Sequence, residues 1–267
     1  MEVGLFCIRN DALCDFVAEK SGIKNLIDEP SYKAQNNHDC DLWDHIFNKL
    51  HDEAGPIDDP CKAEEVSEAE GELALQKHDL KELKHYMTNL EFDEESLTWH
   101  VATEICHQVN GVGNGSKKMF SKVLSDYMLY LLVMQQKMTS AIADIGQIRF
   151  WDSCSEVRAL WRISKPEDMK KLCEKILEET TSPDPAHKAE EMGKSVQHNA
   201  CKLAKILLQK DDRWDVTSAV RVEILSYAAN HCQPEYHARV VREGGELISF
   251  VWLLMAHFGM GPRFPKH

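Results

Sequence analysis

Near its C-terminal end the chain reads Glu246-Leu-Ile-Ser-Phe-Val-Trp-Leu-Leu-Met-Ala-His-Phe258, apolar on nearly every side of a helical wheel. Gly244 and Gly245 break whatever precedes it. Gly259 and Gly261 stop it, and Pro262 prevents its resumption. A helix apolar all round has to be enclosed by other elements or by lipid. This one is shorter than the ~20 apolar residues that a bilayer span requires. It is therefore expected as a central rod of a helical protein. A second strongly apolar stretch, 121–138, carries Val123, Leu124, Tyr127, Met128, Tyr130, Leu131, Leu132 and Met134. The expected fold is all-α, a single irregular multi-helix bundle around central helices near 121–138 and 246–258.

The remaining pattern agrees. Glycine (13) and proline (9) are sparse in 267 residues and fall mostly between periodic segments, which disfavours a turn-rich β fold. Helical spacing predicts a helix over 10–28 through Leu13, Phe16, Val17, Ile23, Leu26 and Ile27. Another is predicted over 42–50, with Trp43 and Phe47 in the core. Further helices are expected from Asp93, over 147–161, after the capping motif Ser164-Lys-Pro-Glu167, and over 188–209 and 216–231. A short one opens at Pro234. The clearest linker is 180–185.

The net charge of −13 is concentrated. Residues 52–95 hold 15 acidic and 4 basic side chains, so this stretch carries −11 of the total. It begins at a Gly55-Pro56 break, and its first half has few large apolar residues. It is read first as an ordinary solvated helix that binds nothing, and in second place as a partly mobile arm over the core that offers a docking surface to a basic protein partner. No basic run is present, which argues against nucleic acid. Nine cysteines without a Cys-x-x-Cys pair, and a start lacking a basic n-region and an apolar h-region, point to a reducing, cytoplasmic setting. No membrane span is expected, and peripheral membrane association is left open.

Three features invite chemistry. Gly111, Gly113 and Gly115 precede Ser116-Lys117, but the order is wrong for a phosphate loop and the element before it reads as helix. His198 with Cys201, His231 with Cys232 and His237, and His100 with Cys106 and His107 lack the spacing of a zinc site. Asp126 stands alone in an apolar surface, with Arg149 and Arg158 as its expected partners. His257 is expected to donate a structural hydrogen bond. No cofactor, metal or catalytic residue is assigned.

Two blocks carry a resemblance. One joins Phe92–Cys106, Leu124–Val133 and Arg149–Cys154. The other joins Ala200–Ala204, Arg213-Trp214, Val222–Ala229, His237-Ala238 and Gly244–Gly259. These resemble the plant family called domain of unknown function 594, whose members typically carry this domain after a multi-span membrane region. The residues that carry the motif are Trp99, His100, Asp126, Tyr127, Arg149, Asp152, Arg213, Trp214, Glu223, His237, Gly244, Gly245, Glu246, Trp252 and His257. The sequence departs from the family where Arg221 replaces an aromatic residue and Gln135-Gln136-Lys137 replaces a proline-containing exit. No stretch of ~20 apolar residues precedes the domain in this sequence, so the membrane region is expected to be absent. The resemblance implies one helical domain over 1–267, with a family-like core of about 90–261 behind an N-terminal extension containing the acidic segment. The function expected is that of a non-catalytic interaction or regulatory domain, acting on another protein in signalling, stress or immunity. The alternative is a hydrolase or transferase with a composite His/Cys/Asp site, for which His100, Asp126, Arg149 and His257 would have to converge.

Overall fold

The computed structural model describes residues 38–55, 60–88, 90–109, 115–143, 145–164, 169–179 and 196–260. The expected helix over 10–28, the glycine-rich connector at 110–114, the capping motif beyond Ser164 and the linker at 180–185 lie outside these residues. Every described element is helical, and no strand occurs among the described residues. The elements are α1 (His38–Ala54), α2 (Pro60–Ser67), α3 (Glu72–Lys77), a 3-10 turn (Lys81–Leu83), α4 (His85–Thr88), α5 (Phe92–Val109) and α6 (Ser116–Met134). They continue with α7 (Gln136–Thr139), α8 (Gly146–Ser164), α9 (Met169–Glu179), α10 (Val196–Leu208), α11 (Arg213–His231), α12 (Pro234–Arg242) and α13 (Leu247–His257). The chain is an all-α bundle whose hydrophobic core runs from Leu42 to Met260.

The centre is held by α11, whose residues from Val216 to Ser226 are all buried. It packs against α6, α13 and α3, while α5 packs against α10, α6 and α9. Small side chains on α11 (Ser218, Ala219, Ser226, Ala228, Ala229) let its neighbours approach closely. Its buried hydroxyls return to the helix's own carbonyls, Thr217 to Arg213 at 2.7 Å and Ser226 to Val222 at 2.8 Å.

The two helices expected at the centre both pack against α11. In α6, Leu124, Tyr127, Met128 and Leu131 are buried, as expected. It ends at Met134, because the chain leaves the helical path at Gln135 (φ −112°, ψ 43°) before the single turn of α7. In α13, Leu247, Ile248, Val251 and Met255 are buried, but Phe250 and Leu253 are 45% and 44% exposed. The apolar circumference of α13 is wider than the face the bundle covers. Trp43 and Phe47 of α1 likewise depart from their expected place. Leu42, Ile46 and Leu50 fill the core, Trp43 is half-buried, and Phe47 is 42% exposed.

The acidic segment is no loose arm over its described residues. Ala69, Ala74, Leu75, Leu80, Leu83 and Met87 are buried in the main core. Gly71 (φ 125°) lies so close that a Cβ there would sit 2.5 Å from Met87 Cε and 3.1 Å from Val220 Cγ1. Glu64, Glu65, Glu68, Asp79 and Glu82 face water while a sparse set of leucines and alanines, brought together by short turns, packs inward. That face has no single helical period, so the sequence pattern did not reveal it.

Candidate functional site

A seam of charged and polar side chains lies between α5, α6 and α11. Arg221 of α11 is fully buried. It donates to the Ser125 hydroxyl at 3.1 Å and to the Ser96 carbonyl at 3.5 Å. Ser125 Oγ is also 3.0 Å from His100 Nδ1. His100 Nδ1 is 4.0 Å from Asp126 Oδ1. Asp126 pairs with Lys122 at 2.5 Å, and Lys122 reaches Glu104 at 3.1 Å. The expected partners of Asp126 are thus wrong: the lysine one turn earlier takes it, because both face the same seam. Burial pushes the Asp126 carboxyl up to about 6 against the pull of Lys122. Burial, followed by the charges of Lys122 and Arg221, holds the His100 imidazole well below its ordinary range. Glu95 is fully buried, neither of its carboxylate oxygens has a hydrogen-bond partner, and burial raises it well above the usual carboxylate range. Burial lowers Arg221 to about 9, with Glu95 and Asp126 opposing.

Arg149 gathers a different set of acids. It pairs with Asp93 at 3.2 Å, with Glu94 at 2.7 Å and with Glu91. This clamp fixes the start of α8 to the first turn of α5. Gly146 makes the approach possible, since a Cβ there would lie 2.4 Å from Leu132 Cδ1. On α11, Glu223 accepts the N–H of Leu73 at 3.2 Å, at the start of α3. Burial first, then the charge of Glu53, raises Glu223 to about 8.

The entry to α13 is built by a tyrosine. Tyr127 donates to Glu246 at 3.2 Å and accepts the N–H of Ile248 at 3.1 Å. Tyr130 reaches the same carboxylate at 3.5 Å. Gly244 and Gly245, both at positive φ (122° and 87°), turn the chain from α12 into α13. His237 is buried between Ser249 Oγ at 2.9 Å and the Ala229 carbonyl at 3.0 Å, and stacks on Trp252 at 4.8 Å. Trp99 is fully buried, and its indole N–H points at Met87 Sδ, 3.1 Å away. Arg213 donates to the carbonyls of Leu208 and Lys210, closing the end of α10. Trp214 lies under the Lys118 ammonium at 5.8 Å. Asp152 is exposed. His257 is exposed too, which corrects its expected structural role.

His100 and Asp126 therefore meet, while Arg149 belongs to the α5–α8 clamp and His257 faces water. The sequence reading missed Glu95, Lys122, Ser125 and Glu104. Glu95 looked like one more acid in a helix's first turn. Arg221 did give a signal, as the cation standing where the family pattern leads one to expect an aromatic ring. Among the described residues, no group of three or more His, Cys, Asp or Glu is arranged to hold a metal ion. Between Asp126 and Glu104, a cation's place is taken by the Lys122 ammonium.

A second candidate site lies outside. Trp43 meets Phe250 edge-on at 5.3 Å, and Phe47 meets Phe258 at 5.5 Å. His51 approaches Phe258 at 5.8 Å. These contacts join the outer faces of α1 and α13 into one aromatic strip, continued by Leu253 one turn after Phe250. The strip is flanked by the exposed Asp44, Asn48 and His257.

The fold and its seam define an all-helical protein whose buried acids and bases are spent on joining helices. Residues 207–260, which contain α11, α12 and α13, match the family described as Protein of unknown function, DUF594. This segment is similar to that family. The match covers most of the second block of the resemblance and none of the first. No curated protein and no solved structure matches the chain. No helix among the described residues is long and apolar enough to cross a membrane.

Proposed function

We propose that this protein is a non-catalytic, cytoplasmic helical interaction domain that docks an amphipathic helix along the aromatic face of α1 and α13. The observation that carries this is the contiguity of exposed Phe47, Phe250 and Leu253 with Trp43 and Phe258. Scattered exposed apolar residues are ordinary, whereas a continuous patch with a polar rim marks a contact surface. Exposed rings and Leu253 along two adjacent helices suit a partner helix that presents apolar anchors at i, i+3, i+4 and i+7. The core common to α1 and α13 supports treating the chain as one domain. A regulatory role in signalling, stress or immunity is the setting that the plant family suggests.

The hydrolase or transferase reading draws on one observation, the proximity of His100, Ser125 and Asp126. Ser125 has no exposed surface and already accepts a bond from the buried Arg221. A nucleophile needs access to its substrate, so the interaction reading fits the geometry better.

The test compares the full chain with a Phe47→Ser/Leu253→Ser variant as baits in extract of the source tissue. Both substitutions lie on exposed positions, so the melting temperature is expected to stay within a few degrees. The reading predicts that the variant loses a defined partner. Identical partner sets from both baits would overturn it.

A further inference from the structure

We propose that the partner helix docked on the aromatic face of α1 and α13 carries Lys or Arg along one edge of its apolar stripe, the edge that lies over α1. This rests on reading that face as a helix-docking surface, and it names the chemistry of the partner.

The charge around the face is one-sided. Asp41, Asp44, Asn48 and Asp52 follow one another at steps of three or four residues, so they form a single row down the outer side of α1. All four are exposed. The row runs beside the rings, with Asp44 next to Trp43 in sequence and one turn before Phe47. At ~1.5 Å per residue it is about 16 Å long, or about three turns of helix. Neither Asp41 nor Asp44 makes an ion pair among the described residues, and Asp52 has only the His51 imidazole, 3.9 Å away. Lys49, the one lysine of α1, interacts with Glu53 and Glu223 instead. The other wall differs. α13 reads Leu247-Ile-Ser-Phe-Val-Trp-Leu-Leu-Met-Ala-His257 and contains no acid, lysine or arginine. A helix lying along the strip therefore meets three carboxylates at one edge and none at the other.

This asymmetry selects among occupants. Cations spaced one turn apart on the partner can pair with the row while its apolar anchors lie on the rings. Each exposed pair contributes little, but three in succession fix the register and speed the encounter. An acidic helix would be repelled along the whole row. An anionic bilayer would be repelled as well. A second copy of this chain would bring the same row and a net charge of −13.

The experiment pans a displayed library of short helices against the full chain. Leucine is fixed at i, i+3, i+4 and i+7, and both edges of that stripe are randomised. The proposal predicts that Lys and Arg are enriched at one edge only. It also predicts that Asp41→Asn/Asp44→Asn/Asp52→Asn, with an unchanged melting temperature, binds a selected peptide about five-fold more weakly and loses most of the salt dependence. Enrichment of neutral or acidic residues at both edges, or of cations equally at both, would overturn it. So would an affinity that the triple variant leaves unchanged. In those cases the docking face stands, provided that Phe47→Ser/Leu253→Ser still abolishes binding. Peptides held equally by Phe47→Ser/Leu253→Ser, or a library that yields no binder, would overturn the docking face together with this inference. Cosedimentation with phosphatidylserine vesicles, or self-association in the centrifuge, that is lost in Phe47→Ser/Leu253→Ser would overturn it in favour of lipid or a second copy.

Discussion

Glu223, buried midway along α11, accepts the backbone N–H of Leu73 at 3.2 Å across 150 positions of sequence. One carboxylate oxygen thereby caps α3, the first helix after the Gly71 turn, and the other is buried without a partner. The acidic segment is joined to the central helix by a side chain that looks, in sequence, like one more surface glutamate.

This arrangement sets a pH dependence. Glu223 is raised to about 8 by burial, from an ordinary value of 4.5. The folded chain therefore keeps a proton that the unfolded chain releases, and the contribution to stability is present below about pH 4.5 and lost as pH rises through about 8. Glu223→Gln keeps an acceptor for Leu73 and removes the ionisation. Urea unfolding is expected to show the variant more stable than the wild type at pH 9, by on the order of 2 kcal/mol, and close to it at pH 5. Equal pH slopes for both proteins would refute the assignment.

His100 works in the opposite direction. Its folded value lies well below 6.5, so its contribution is present above that value and lost as pH falls. Asp126, raised to about 6, favours the folded state as pH falls, so the wild type shows the difference of the two. His100→Gln removes only the histidine limb. Its stability is expected to decline less than that of the wild type between pH 7 and pH 5, measured by thermal unfolding at each pH.

The packing of the acidic segment is tested at Gly71. Alanine there meets both a positive φ and Met87 Cε at 2.5 Å. Gly71→Ala is expected to cost more than about 1 kcal/mol in denaturant unfolding. An unchanged midpoint would mean that the segment does not lie where α3 and α4 place it.

Two tryptophans separate the centre from its flank. Trp99 has no exposed surface, and Trp99→Ala is expected to cost ~3–5 kcal/mol. Trp252 is only half-buried and stacks on His237, so Trp252→Ala is expected to cost clearly less. Calorimetric midpoints of the two variants check the order.

Arg149→Leu removes the cation from Asp93, Glu94 and Glu91. Asp93 is buried, so it is left as an uncompensated acid, at an expected cost of about 3 kcal/mol. Hydrogen exchange is expected to rise first in α8, because this clamp holds its first turns.

The sequence by itself determined the helical class, most helix positions and the turn at Gly244-Gly245, since those follow from local periodicity and backbone freedom. It also carried the family match over 207–260. Which helix lies at the centre was decided only by tertiary structure. By composition α13 is the more apolar helix, yet α11 is the more buried: Thr217 and Ser226 bond within their own helix, and Arg221 donates to Ser96 on α5 and Ser125 on α6. A pattern of apolar residues cannot register a polar group that is buried and paired. Glu95, Ser125 and Glu223 were hidden because their settings come from helices distant in sequence. The apolar pattern also concealed the outward turn of Phe47 and Phe250, since hydrophobicity says that a side chain seeks cover but not whether the described fold provides it.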